Sequence, residues 1–125
     1  MVLLPKQIRY NIKLNSFTII LGTLLLFVFA AILEIGGGYL VWQWIKEKRK
    51  FTFGLLGGFV LFIYGVIPTL QPSNFARVYA AYGGIFVIMS IAWGFFIDKK
   101  RPDKYELIGG IIVTLGAAII FYFPR

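Results

Sequence analysis

FAAILEIGGGYLVW, residues 29–42, places one acidic side chain, Glu34, within an apolar run and follows it with three consecutive glycines. The apolar run extends from about residue 17 to residue 45, and a helix needs roughly 20 such residues to cross a bilayer. Three further apolar runs follow, at about residues 51–70, 75–97 and 105–123. The pattern predicts an all-α polytopic membrane protein, with four transmembrane helices forming an up-and-down bundle over residues 17–125.

The composition of the chain supports a membrane protein. Of its 125 residues, 59% are hydrophobic and 14% are charged, whereas about 25% are charged in a typical soluble domain. Cysteine and histidine are absent, and one acid lies within the spans, so we expect no enzymatic activity and no bound metal. The net charge of +8 arises from Lys and Arg at the helix ends rather than on a polar face, so we expect no nucleic-acid partner.

Residues 1–16 are interpreted as a segment separate from the bundle. Basic and aliphatic side chains would occupy different faces of a helix there: Lys6, Arg9 and Lys13 on one, Leu4, Ile8 and Ile12 on the other. That arrangement is typical of an interfacial amphipathic helix, and an unstructured tail is the alternative. A cleavable signal peptide is disfavoured, because the apolar stretch that follows is too long and no A-x-A site follows it.

The loop charges predict an orientation in the plasma (inner) membrane. Loops 46–50 and 98–104 carry eight Lys and Arg residues together, whereas the other side of the membrane carries five. The positive-inside rule therefore places both loops in the cytoplasm and both termini outside. Because the bias is modest, dual topology is the alternative, and it would permit an antiparallel dimer as well as a parallel one.

Glu34 supports the functional prediction. Eleven residues separate it from Lys46, roughly 17 Å along a helix, which places it near the membrane midplane. An acid there costs about 2.5–3.5 kcal/mol on insertion scales, and Arg77, near the end of the third span, is too distant to neutralise it. The carboxylate is therefore expected to hold a proton and a cationic ligand in turn, with the proton as coupling ion and no other cofactor. The alternative is a neutral Glu34 that bonds helices together.

An aromatic stripe on the third span supplies candidate substrate-lining residues. Tyr79, Tyr82, Phe86 and Trp93 recur at i, i+3, i+7 and i+14 on one helical face. Aromatic faces attract cations by about 0.5–2 kcal/mol each, although such a stripe also serves packing. Gly37 and Gly38 leave room beside the carboxylate, or form a helix-packing notch. Because four short helices enclose one glutamate poorly, we expect a homodimer with the site at its interface.

Three stretches of the chain resemble the YnfA-type small membrane proteins, a branch of the small multidrug resistance and drug/metabolite transporter superfamily. These are LEIGGGYLVW, RVYAAYGGIFVIMSIAW and DKKRPDKYELIGGIIVTLGAAII, and the resemblance spans about residues 22–123. It implies a four-helix transporter that assembles as a dimer, often with opposed protomers, and exchanges protons for organic cations. The proton- and drug-binding glutamate of that superfamily maps onto Glu34, and two lining aromatics map onto Tyr79 and Tyr82. The second aromatic is typically Trp in drug-exporting relatives, so Tyr82 departs from their pattern.

The position of Glu34, the aromatic stripe and the family resemblance together predict a proton antiporter for the efflux of hydrophobic or quaternary organic cations. Its partners would be the organic cation, membrane lipids and a second copy of the chain. Three alternatives remain open at this point. They are a guanidinium-type small-cation exporter, a non-transport assembly protein with Glu34 as helix glue, and a lipid-handling protein whose carboxylate meets an amine headgroup.

Overall fold

The computed structural model describes residues 5–125, apart from the side chains of residues 8–15. Four α-helices and one short 3₁₀ helix make up the described chain: α1 (Lys6–Ile45), α2 (Phe51–Val66), the 3₁₀ helix (Ile67–Leu70), α3 (Phe75–Phe96) and α4 (Lys104–Tyr122). Within these residues, four helices are long and apolar enough to cross a membrane. The predicted all-α fold with four membrane-spanning helices is therefore confirmed.

Helix α1 is a single helix of 40 residues. Its stretch Ser16–Ile45 is long and apolar enough to cross a membrane. Residues 6–16 continue the same helix without a break, whereas the sequence suggested a separate segment there. The predicted amphipathic faces of that segment depend on Leu4 and on side chains such as Arg9 and Lys13, which lie outside the described residues.

Helices α1 and α3 end in the same way, although their sequences differ. At each end a backbone amide donates to a carbonyl six residues earlier, at 3.0 Å for Arg49 and 2.8 Å for Lys100. The residues just before them, Lys48 and Lys99, adopt φ values of 55° and 57°. A left-handed residue just beyond a helix is a common C-terminal cap, and glycine usually occupies that position. The first and third helices thus end in similar charged loops, and the contact between Tyr39 and Asp98 places both loops at one end of the bundle.

Glycines permit the closest helix contacts. A Cβ on Gly37 of α1 would lie 2.9 Å from the carbonyl oxygen of Gly57, and a Cβ on Gly57 would lie 2.6 Å from that of Gly37. Both distances are shorter than real Cβ contacts, so α1 and α2 cross at a point that admits no side chain. On α3, Gly84 allows a similar approach to Ala117 of α4.

The core lies where α1 crosses α3 and contains small and aromatic side chains. The buried members of this cluster are Phe27, Ala30, Ala31, Ile67, Val78, Ala81 and Tyr82. Outward-facing apolar side chains are largely uncovered; Phe62 of α2 is 76% exposed and Ile112 of α4 is 63% exposed. Such a surface fits a hydrocarbon environment, where apolar side chains need no burial in the protein. Helix α1 is thus central, between α2 and α3, and it presents Glu34 towards α3.

Candidate functional site

The Glu34 carboxylate is bonded to a tyrosine on another helix. The Tyr82 hydroxyl donates a hydrogen bond of 2.7 Å to Oε2 of Glu34. Glu34 is half-buried and Tyr82 is only 4% exposed. Hydrogen bonds to a charged acceptor are roughly twice as strong as neutral ones. Among the side chains that the structure describes, no Lys or Arg pairs with Glu34, so the carboxylate has a neutral partner and no counter-charge.

Aromatic rings from three helices fix the position of Tyr82. Its ring centroid lies 6.1 Å from that of Phe27 on α1, 5.8 Å from that of Tyr64 on α2 and 6.1 Å from that of Phe86 on α3. This packing restrains the Tyr82 ring and holds its hydroxyl towards Glu34.

A cavity of about 680 Å³ opens beside Glu34. Its lining residues are Glu34, Ile35, Gly38, Tyr39, Trp42, Leu61, Phe86, Ser90 and Asp98. Small-molecule sites usually measure about 300–1,000 Å³ and are mostly apolar, with a few polar groups that fix orientation. Three aromatic rings and two carboxylates among these residues make a lining suited to an organic cation. Trp42 already attracts a positive charge, since Nζ of Lys46 lies 5.8 Å from its ring centroid.

The cavity extends from Glu34 towards the end of the bundle that carries the two basic loops. The opposite end holds a compact polar cluster. There the side-chain amide of the buried Gln71 donates to the Thr23 carbonyl at 2.9 Å. The Thr23 hydroxyl donates to the Ile20 carbonyl at 2.9 Å and lies 2.9 Å from the Tyr122 hydroxyl. These bonds tie α1, α4 and the segment after the 3₁₀ helix together at that end.

Three of the residues predicted to line a site lie at the Glu34 cavity. Phe86 and Gly38 line it directly. Tyr82 reaches it through its hydrogen bond to Glu34. Gly38 and Trp42 follow Glu34 at i+4 and i+8, so helical spacing places all three on one face of α1.

The other predicted residues take different positions. Gly37 is buried against Gly57 of α2 and acts in helix packing. Tyr79 is 36% exposed and stacks on Phe75, with ring centroids 4.4 Å apart. Trp93 lies behind the cavity wall, where its ring centroid is 5.6 Å from that of Tyr39.

Four cavity residues with polar or aromatic side chains were not predicted from the sequence: Tyr39, Trp42, Ser90 and Asp98. The helical spacing of Trp42 from Glu34 could have indicated that Trp42 lies at the site. No sequence pattern indicated Asp98, because its place depends on how the end of α3 packs against α1. Its contact is made through Tyr39, whose hydroxyl donates to Oδ1 of Asp98 at 3.4 Å.

Comparison with known proteins identifies relatives along most of the chain. Residues 20–125 match the family described as "Uncharacterised BCR, YnfA/UPF0060 family". A UPF0060 membrane protein of Clostridium beijerinckii is 53% identical over 108 residues, which cover 85% of this chain and 97% of that protein. The UPF0060 membrane protein YfjF of Bacillus subtilis is 46% identical over 104 residues, covering 82% and 95%. No solved structure matches the chain. The residues matched by the family include most of α1 and all of α2, α3 and α4.

Proposed function

The chain belongs to the YnfA/UPF0060 family of membrane proteins, and from that premise we propose that it is a proton-coupled antiporter exporting hydrophobic or quaternary organic cations. The proposal depends mainly on the groups that surround the Glu34 carboxylate. Its carboxylate lines a cavity of about 680 Å³, accepts a hydrogen bond from Tyr82 and has no basic partner among the described side chains. An intramembrane acid in such a place marks a substrate or ion pathway by default.

Exchange follows from the chemistry of one carboxylate. When a cation binds, the Glu34 carboxyl must first release its proton; when a proton binds, the charge that held the cation is lost. The Tyr82 hydroxyl donates to the carboxylate and is itself neutral, so it leaves the negative charge of Glu34 available to a cation. The proton and the cation therefore displace each other, and a proton gradient drives the cation in the opposite direction.

The size and lining of the cavity favour a large organic cation over guanidinium. A volume of about 680 Å³ falls within the range of about 300–1,000 Å³ for drug-sized ligands. Tyr39, Trp42 and Phe86 supply aromatic faces for a cation that is itself apolar. A guanidinium ion would fill a small part of this space and leave those faces in contact with water.

We further propose that the protein acts as a homodimer in the plasma membrane, with loops 46–50 and 98–104 in the cytoplasm. On α4, Gly109 and Gly116 have open space around them, seven positions apart on one helical face. Small residues on an uncovered face allow a second membrane helix to approach closely. The modest loop-charge bias leaves an antiparallel pair as the alternative arrangement.

Glu34→Gln tests the transport function, because glutamine keeps the shape and hydrogen-bonding capacity of the side chain and removes its charge. Purified wild-type and variant proteins are reconstituted in liposomes, and uptake of the organic cation ethidium is followed under a pH gradient. We expect the variant to fold and lose gradient-driven uptake. Glu47→Gln is the matched control, since Glu47 is exposed and lies outside the cavity lining; it should transport normally.

A second candidate function is assembly, because the Glu34–Tyr82 bond joins α1 to α3 within one subunit. Full transport by the Glu34→Gln variant would overturn the antiporter. Loss of the dimer together with the absence of ethidium transport by the wild-type protein would favour the assembly function. Size-exclusion chromatography with light scattering on the same preparations separates these outcomes.

A further inference from the structure

The cavity beside Glu34 contains a second carboxylate at its mouth. Asp98 lies two residues beyond the end of α3, is exposed and lines the same cavity as Glu34. We infer that Asp98 is a capture site for the organic cation, which binds there before it reaches Glu34. The inference rests on the proposed function and adds a second binding position, at the loop end of the bundle.

Tyr39 connects the two acids. It follows Glu34 by five residues, which is about 7.5 Å further along α1. Its hydroxyl lies 3.4 Å from Oδ1 of Asp98, and its ring packs on Trp93 with centroids 5.6 Å apart. Between the carboxylates, the cavity wall carries aromatic faces from Tyr39 and from Trp42 on the next turn. A cation that moves from one acid to the other therefore does so in a cavity lined by aromatic rings.

The charge around the mouth explains why an acid is needed there. Loops 46–50 and 98–104 together place eight Lys and Arg residues at this end of the bundle. A cationic ligand approaching this end meets a repulsive field, and an acid on the cavity wall offsets it locally. Opposite charge at the mouth of a cleft raises association rates, and the effect falls with ionic strength.

The other acids at this end have different positions. Asp103 and Glu106 form the capping box of α4, in which each carboxylate accepts the backbone amide of the other residue at 2.8 Å. Glu47 is exposed in the first loop and does not line the cavity. Among the lining residues that the structure describes, Asp98 and Glu34 are thus the two carboxylates that a bound cation would meet.

Association kinetics of ethidium with the purified full-length protein test this role. Asp98→Asn removes the charge and keeps the size of an exposed side chain, whereas Glu47→Gln removes the same charge at the same end of the bundle. At about 20 mM salt, where charges are screened weakly, we expect Asp98→Asn to lower the association rate constant about three- to tenfold. At about 500 mM salt the difference should shrink below about twofold. Glu47→Gln should match the wild type at both concentrations.

The outcomes distinguish this inference from the function on which it rests. Wild-type association rates in Asp98→Asn at both salt concentrations would overturn the capture site and leave the antiporter intact. An equal slowing in Glu47→Gln would show a general charge effect and would also overturn it. Ethidium binding of wild-type strength by Glu34→Gln would overturn the proposed function itself. Asp98→Glu, which keeps the charge, should restore the wild-type rate, and failure of this rescue would contradict the electrostatic role.

Discussion

Glu34 and Tyr82 lie 48 positions apart in the sequence and are joined by a hydrogen bond of 2.7 Å between α1 and α3. The bond brings together the acid of the first span and a ring held by aromatic contacts from three helices. A carboxylate bonded to a neutral donor remains open to a positively charged ligand. A carboxylate paired with Lys or Arg would already be neutralised.

Removal of the Tyr82 hydroxyl should destabilise the contact between α1 and α3. A hydrogen bond to a charged group contributes about 1.5–3 kcal/mol, and Tyr82→Phe would remove the one that joins Tyr82 to Glu34. We therefore expect this variant to melt at a lower temperature in detergent, measured by the loss of helical circular dichroism on heating.

Tyr79→Phe is the matched control for that experiment, because Tyr79 is partly exposed and has no direct hydrogen bond to Glu34 in the structure. It should leave the melting temperature close to that of the wild type. An unchanged melting temperature in Tyr82→Phe would show that the hydrogen bond to Glu34 does not stabilise the bundle.

Acidification should weaken cation binding to the wild-type protein. If one proton competes with one cation at Glu34, the dissociation constant rises by about tenfold per pH unit once the carboxyl is mostly protonated. Isothermal titration with tetraphenylphosphonium over a pH series provides the slope. Asp98→Asn should retain the pH dependence, since Glu34 remains. A flat profile in the wild type would contradict competition.

Replacement of Trp42 should weaken cation binding without affecting its pH dependence. An aromatic face contributes about 0.5–2 kcal/mol to cation binding, so Trp42→Ala should lower ethidium affinity about two- to thirtyfold. Trp42→Phe keeps a ring and should lose less. Equal affinities in the wild type and Trp42→Ala would remove this side chain from the binding surface.

Substitution at the α1–α2 crossing should destabilise the bundle. In Gly57→Ala the new methyl would lie 2.6 Å from the Gly37 carbonyl oxygen and 2.9 Å from Cβ of Leu40, so the helices must separate. Overpacking of this kind usually costs about 1–3 kcal/mol. We expect a lower melting temperature in detergent, measured by the loss of helical circular dichroism on heating.

Gly58→Ala serves as the control at the neighbouring position. A Cβ there meets nothing within 4 Å, and alanine favours a helix over glycine by about 0.8–1.0 kcal/mol. Its melting temperature should equal or exceed that of the wild type. A melting temperature of Gly57→Ala as high as that of Gly58→Ala would contradict the close crossing.

The sequence predicted the membrane-spanning helices well, because each apolar run is bounded by charged or turn-forming residues. Asn74 caps α3 by accepting from the Arg77 amide, and Asp103 begins α4 with a capping box, so local chemistry sets both boundaries. Residues 6–16 belong to the same helix as the first span, since no proline or glycine interrupts them. Local sequence alone does not reveal where a continuous helix enters the membrane.

The site was less predictable from sequence than the fold. Glu34 stood out as an unpaired acid in an apolar run, and helical spacing placed Phe86 on the same face of α3 as Tyr82. Helical periodicity places residues within one helix and says little about which helices meet. The assignment of Gly37 to packing depends on Gly57, and the position of Asp98 depends on Tyr39. Both are relationships between helices.

Lys48 and Lys99 occupy left-handed positions where glycine would relieve backbone strain of roughly 1–2 kcal/mol each. Exchanging both for glycine would leave six positive side chains at that end of the bundle instead of eight, against five at the other. The difference in positive charge between the two ends, which sets orientation under the positive-inside rule, would then nearly vanish. At these two positions glycine would lower the backbone strain, whereas lysine maintains the charge difference between the two ends of the bundle. The chain has lysine at both.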